Sequence, residues 1–431
     1  MRKNIFTLVA VLFLSTTLFA QWNFEGVFPA DSSLKANTGN HGIVVTPDGN
    51  VWIAPYRPFI ADSVLNPDSG FKMNCRPVYV FQPDGTPLDT IRSIVVGGVT
   101  RVLQWSNVGL SLDHNGDVIV ASYNEVFKIN YQTYEGIAWA DLALIGFDGV
   151  SICAPGVVEN GDVYVCSVFP AKPVLHLDSN FAYIDNALDA FNIDYGRDFA
   201  AQSCADSTWL FFPRYLGLYI YKKVGDFGTF DLVDSLIGPH PETIKFDPVD
   251  GNCWLSGGNN DSKPTGLLKH NVWYKFDLST KTALDSIHWN FEVGGTPANE
   301  KPRGFALSDD GLTAWVGCFG SSTYPPVQKF TKPSGIEQDK NILPTGYNLS
   351  QNYPNPFNPS TQITFAIPEA GMVTLKVYNM LGQEVATLVN EQLNAGQFTS
   401  TFSAANLASG TYIYELRVND VRLANKMLLL K

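Results

Sequence analysis

The feature that most constrains this chain is a strand, tight turn, strand unit that recurs six times between residues 22 and 335. It reads GIVVTPDGNVWIA (42–54), GLSLDHNGDVIVA (109–121), GVVENGDVYVC (156–166), FAAQSCADSTWLFF (199–212), TIKFDPVDGNCWLSG (243–257) and GFALSDDGLTAWVG (304–317). Each unit joins two strand-like segments through a tight Asp/Asn-Gly or similar turn, the pattern of a β-hairpin. A second hairpin follows each of the first five, at 78–91, 126–138, 174–185, 218–236 and 273–287. Two hairpins make four antiparallel strands, and four strands per repeat of about 40–60 residues are one propeller blade.

The sixth unit is followed by only one further strand, Val327 to Thr331. The fourth strand of that blade can come from Trp22 to Pro29, whose FEGVFPADS reads like the closing half of the other second hairpins. Such an exchange closes the ring and removes an exposed sheet edge. The expectation is an all-β chain whose residues 21–331 form a six-bladed β-propeller, or seven blades if 57–76 hides another strand pair. The Asp-Gly-x-x-Trp units resemble NHL-repeat and gluconolactonase-like propellers, and more loosely those of bacterial sensor proteins. Gly supplies positive φ, Asp satisfies turn amides, and Trp fills space between blades.

In such a ring the segments leading into each inner strand surround the mouth of the central channel. They carry Asn40 and His41, Ser106 and Asn107, Arg197 and Asp198, His240 and Glu242, and Arg303. His41, Asn107, Arg197, Asp198, His240, Glu242 and Arg303 are therefore the ligand-binding candidates, suited to an anionic or sugar-like ligand. No cofactor is expected under this reading. The alternative is a lactonase or hydrolase of the gluconolactonase-like type, in which Glu242, Asp198 and Asn107 would hold a divalent cation such as calcium that polarises a lactone carbonyl. Asp113-His114-Asn115-Gly116-Asp117 and Asp309-Asp310-Gly311 look like calcium loops but lack the remaining ligands and fall where hairpin turns belong. No Gly-x-Ser-x-Gly, phosphate-binding loop or His-Glu-x-x-His is present. Asp-Ser/Thr-aliphatic triplets begin at Asp62, Asp89, Asp234 and Asp285, as an O-glycosylation signal or as a repeated strand end.

Residues 346–431 have a different texture. Alternation in Gln362 to Ile367, Val373 to Tyr378, Phe398 to Phe402 and Tyr412 to Val418, with turn residues between, describes a small antiparallel sandwich of immunoglobulin-like type. The segment carries Pro-Asn-Pro-Phe-Asn-Pro at Pro354–Pro359, Val-Tyr-Asn-x-x-Gly-Gln-Glu-Val at Val377–Val385, Gly-Thr-Tyr at Gly410 and a final Lys-Met-Leu-Leu-Leu-Lys. In that order these motifs resemble the type A C-terminal sorting domain of the bacterial type IX secretion system. The matching positions are Pro354, Asn355, Pro356, Phe357, Gly382, Glu384, Gly410, Tyr412, Lys426 and Lys431. Residues 332–345, polar with two prolines, read as the linker before it.

The other end agrees with export. Arg2 and Lys3 precede an apolar run ending at Ala20, the pattern of a signal peptide over residues 1–20. The resemblance and the signal together imply passage through the Sec translocon, then the type IX translocon and its sortase, to the outer surface or the medium. After cleavage no segment is apolar enough to span a bilayer. The chain has 29 basic and 41 acidic residues, a formal charge of −12. An acidic surface excludes nucleic acid as the natural partner. All six cysteines precede the sandwich, without a Cys-x-x-Cys, and Cys153 with Cys166 is the expected disulfide across the Asn160-Gly161 hairpin.

Overall fold

The computed structural model describes residues 22–30, 40–56, 62–149, 151–168, 172–189, 196, 198–204, 206–214, 216–225, 228–238, 241–257, 271–290, 301–319, 327–332, 337–339, 344–404, 407–419 and 421–430. The signal-peptide stretch, Arg197, His240 and Lys431 lie outside them, as do the side chains of His41 and Cys204.

Six four-stranded antiparallel sheets occupy the body. In chain order their inner strands are Asn40–Val45, Asn107–Leu112, Gly156–Val157, Ala200–Cys204, Ile244–Phe246 and Lys301–Leu307. The last sheet borrows its outer strand: Asn23–Val27 pairs antiparallel with Val327–Thr331, as the sequence implied. Apolar clusters lie between neighbouring sheets, and one built on Phe28, Ile43, Ile53, Phe81 and Trp315 joins the last sheet to the first. Among the described residues the sheets thus close on themselves as a propeller ring. Trp52, Trp254, Trp273, Trp289 and Trp315 are buried between sheets, whereas Trp105 is exposed.

Glycines set how closely the inner strands approach. A Cβ on Gly109 would lie 2.3 Å from the Cβ of Ala154, and one on Gly42 would lie 2.7 Å from the Leu110 backbone nitrogen. No side chain fits at either distance, so these positions fix the tight centre of the ring.

The outer strands repeat a second device. The pairing of the last two strands shifts register at Val80/Phe81, Lys128/Ile129, His176/Leu177, Ile220/Tyr221 and Lys275/Phe276, the same place in five sheets. A bulge there sharpens the twist the wedge-shaped blade needs. The triplets at Asp89, Asp234 and Asp285 sit at this bulge, and each carboxylate accepts from the next backbone N–H at 2.6–2.7 Å. A repeated strand end accounts for these three. Asp62 makes the same bond on a separate ribbon.

Among the described residues the region from Arg57 to Arg76 adds that ribbon, Asp62–Leu65 with Lys72–Cys75, and it is two-stranded. A second ribbon, Ser93–Val96 with Val99–Val102, turns at Gly97-Gly98, both at positive φ. The two are tied by Arg92 to Asp62 at 2.8 Å.

Residues 337–430 form two four-stranded sheets around one core. One runs Glu337–Asp339, Gly396–Ser403, Ser360–Ile367, Asn348–Leu349 and the other Glu384–Leu393, Gly371–Asn379, Gly410–Val418, Val421–Leu429. Phe357, Phe365, Phe398, Tyr414 and Met427 fill the space between them. Glu337–Asp339, inside the stretch read as linker, is thus a strand of the sandwich.

The expected disulfide is corrected: Cys153 and Cys166 are buried free thiols. They face each other across the expected pairing, with Cys153 N–H donating to the Cys166 carbonyl at 2.9 Å. The thiols hydrogen-bond, and burial first and then Cys153 push the Cys166 thiol well above its usual range.

Candidate functional site

Inner strands run from the channel mouth to the hairpin turns at the opposite face. Of the mouth candidates, the structure brings Glu242 and Arg303 together. The Arg303 Nε donates to Glu242 Oε2 at 2.6 Å, with side chains only 5% and 8% exposed respectively. The guanidinium also lies 4.1 Å from the Phe319 ring centroid, a cation–π contact. The Glu242 and Thr243 N–H groups both donate to Ser256 Oγ, at 2.7 and 3.1 Å. The pair therefore clamps the start of one inner strand to the start of the next.

Asp198 is equally occupied. Its Oδ2 accepts from Thr243 Oγ1 at 2.8 Å and the Ile244 N–H at 2.9 Å, and its Oδ1 from the Phe199 N–H at 2.9 Å. Asn107, fully buried, stands apart and donates to the Arg76 carbonyl at 3.0 Å. The Asp198 oxygens and Glu242 Oε2 are turned to the protein, while the buried Asn107 Oδ1 meets no hydrogen-bond donor among the described residues. Among the described residues no group of three or more His, Cys, Asp or Glu is arranged to hold a metal.

The two calcium-like loops are turns. Asp113 Oδ1 accepts from the Asn115 and Asp117 N–H groups at 2.9 Å, and its other oxygen meets the Lys128 ammonium at 2.5 Å. Asp310 Oδ1 accepts from the Leu312 N–H at 2.9 Å. A residue the sequence reading passed over lies in the channel. Lys245, on an inner strand, is 3.8 Å from Asp198 and reaches the Leu110 carbonyl at 3.4 Å on another inner strand. A lysine at an inward position of TIKFD was the signal that could have found it.

At the opposite face a cavity of about 290 Å³ separates the propeller from the sandwich. On the propeller side Lys275 bridges Asp247 at 2.8 Å and Asp250 at 2.6 Å. Asp285 accepts from Trp22 Nε1 and Lys332 Nζ, both at 3.1 Å. Thr387, Thr399 and Thr401 face them from the sandwich. The sandwich thus borders the turn face of the ring.

Within the sandwich the motif residues sit at two places. Pro354, Asn355, Pro356 and Phe357 form a segment laid along the final strand: Phe357 N–H donates to the Leu428 carbonyl and Leu430 N–H to the Phe357 carbonyl, each at 3.0 Å, while Leu428 N–H donates to Asn355 Oδ1 at 2.9 Å. Tyr414, from the neighbouring strand, donates its hydroxyl to the Ser350 carbonyl at 2.7 Å. At the other end Gly382 takes φ +79° in a turn that leaves Met380 and Leu381 exposed, and Glu384 pairs with Lys376 at 2.8 Å. Gly410 opens the strand in which Tyr412 donates to the Ala408 carbonyl at 2.7 Å. Lys426 is exposed on the last strand.

Residues 351–430 match the family model of the secretion system C-terminal sorting domain. The chain ends in a type IX secretion sorting domain. Its bearer is exported by the type IX system to the cell surface or the medium. Among the described residues no helix is long and apolar enough to cross a membrane. No curated protein sequence matches the chain. Among solved structures it is similar to the extracellular domain of the one-component system BT4673 of B. thetaiotaomicron, at 10% identity and TM-score 0.42, covering 96% of this chain and 59% of that one. It is also similar to PorZ, a surface component of the type IX secretion system of Porphyromonas gingivalis, at 12% identity and TM-score 0.37, covering 97% and 57%. A third is regucalcin, a calcium-binding protein of Agrobacterium tumefaciens, at 10% identity and TM-score 0.47, covering 72% and 95%. The chain spans under three fifths of the length of the first two.

Proposed function

We propose that this is an exported propeller, which we read as six-bladed, that binds an extracellular ligand, glycan or protein partner at its mouth face without transforming it. The observation that supports the reading is the placement of the sorting domain beside the turn face, at the end of the ring away from the mouth candidates. The acid and base groups described at the mouth are bonded to each other and to backbone, so they build a shape and supply no poised general acid or base.

Two measurements test this. Deleting 346–431 should leave a folded propeller in the periplasm, and its appearance in the medium would remove the tail from the account. The full exported protein should then bind members of a glycan and surface-protein panel unchanged by EDTA. EDTA-sensitive hydrolysis across lactone and ester panels would overturn the binding reading.

A further inference from the structure

The sorting domain exposes four strand edges among the described residues, and three are blunted. Glu337–Asp339 and Asn348–Leu349 have three and two residues. Glu384–Leu393 is bulged against its partner at Leu375/Lys376 and Val377/Tyr378, and its Ala386, Thr387 and Leu388 border the cavity against the propeller. Short strands, bulges and cover are the usual protections against unwanted strand addition. Val421–Leu429 has none of them over its first half: nine residues, no proline and no bulge, paired residue for residue with Gly410–Val418.

The outward backbone groups of this strand belong to its even-numbered residues, as the bonds of Leu428 and Leu430 to the Pro354–Phe357 segment reveal. Gln351 Nε2 takes the Lys426 carbonyl at 2.7 Å. There the cover ends. Among the described residues nothing meets the N–H and C=O groups of Arg422 and Ala424 or the N–H of Lys426. Arg422, whose guanidinium pairs with Glu415 on the neighbouring strand, and Lys426 flank this gap, both exposed, in a chain of net charge −12.

We infer that the open edge at Arg422–Lys426 is a docking site for one extended, carboxylate-bearing strand of the export machinery, added by β-augmentation. The occupant's class follows from charge and geometry. A second copy of this chain paired antiparallel about Ala424 would set Arg422 opposite Lys426 twice, and like charges directly opposed destabilise a strand pair. A strand with Asp or Glu at alternate positions lies beside both cations and meets the five free backbone groups together. The inference rests on the tail's role as the export signal and names the surface by which it is read.

The test is Ala424→Pro in the full chain, with Ala424→Val beside it. Proline is tolerated on an edge strand where its missing N–H faces outward, so the domain should fold. Ala424→Pro removes a docking donor, and the secreted fraction should fall about tenfold while Ala424→Val secretes normally. A benzoylphenylalanine at 424 should cross-link to a strand of an outer-membrane export component. Secretion of Ala424→Pro at the wild-type level overturns the inference, as does a cross-linked homodimer as the sole adduct. If Ala424→Pro melts well below wild type, Arg422→Glu with Lys426→Glu decides: unchanged secretion overturns the proposal and a several-fold loss supports it. Normal secretion after deletion of 346–431 would instead refute the export reading itself.

Discussion

The buried pair at the mouth gives the sharpest stability experiment. Glu242→Gln takes the Glu242 anion from the Arg303 guanidinium, 5% exposed, and Arg303→Met takes that guanidinium from a carboxylate 8% exposed. Removing one partner of a buried pair costs about 3–5 kcal/mol, because the remaining charge is not rehydrated. For a ring of this size, at about 2 °C per kcal/mol, that is a melting-temperature drop of roughly 6–10 °C. Glu242→Leu with Arg303→Met removes both charges and should recover most of the loss, to within about 1–2 kcal/mol of wild type, since apolar replacements of buried pairs are often neutral. Scanning calorimetry of the full chain compares all four proteins. Single-variant losses under about 1 kcal/mol would mean that the pair behaves as a solvated surface bridge. The mouth would then be open water, and Arg303 would be available to a ligand in the way the structural clamp denies.

Three further outcomes follow from other sites. Gly109→Val should unfold the propeller at markedly lower temperature, because its Cβ would sit 2.3 Å from that of Ala154; a melt within a degree of wild type would contradict the tight ring centre. Burial, partly offset by the Trp139 N–H, pushes Glu125 up to about 7, so the folded protein keeps a proton that the unfolded chain releases near 4.5. Its contribution is complete below the unfolded value and lost as pH rises to about 7, so the denaturation midpoint should fall across that window and Glu125→Gln should flatten the fall. Burial also raises the thiols of Cys166 and Cys253 well above their usual range. Iodoacetamide at pH 8 should leave both unlabelled until the chain is denatured, as mass spectrometry would report.

The hairpin repeat was legible because two local signals coincide at five of the six units: period-two alternation and a turn that needs Gly, as at Gly116 with φ +84°. The borrowed strand of the last sheet was legible by subtraction, since Val327–Thr331 had no successor and Asn23–Val27 had no predecessor. The ribbon Ser93–Val102 was not read, although Gly97-Gly98 between apolar runs is a hairpin signal, because it falls outside the repeat. Glu337–Asp339 was hidden by its polarity, its strand character coming from the partner Gly396–Ser403. At the mouth the residue types were right and their role was not. Glu242 and Arg303 are 61 positions apart, and no local pattern says that two polar residues near one opening will neutralise each other. The same limit applies to Cys153 and Cys166, where pairing gave proximity and redox state was a separate question.

The borrowed outer strand has a consequence in time. Asn23–Val27 is among the first segments of the body to be made and Val327–Thr331 the last, yet they are hydrogen-bonded neighbours. The sheets between can form as hairpins complete, but the ring cannot lock until Thr331 has been made. The sorting domain begins almost immediately afterwards. A chain that shows the export machinery a finished tail has therefore already delivered both ends of its propeller, so the order of synthesis itself ensures that the signal to leave is displayed only by a body able to close.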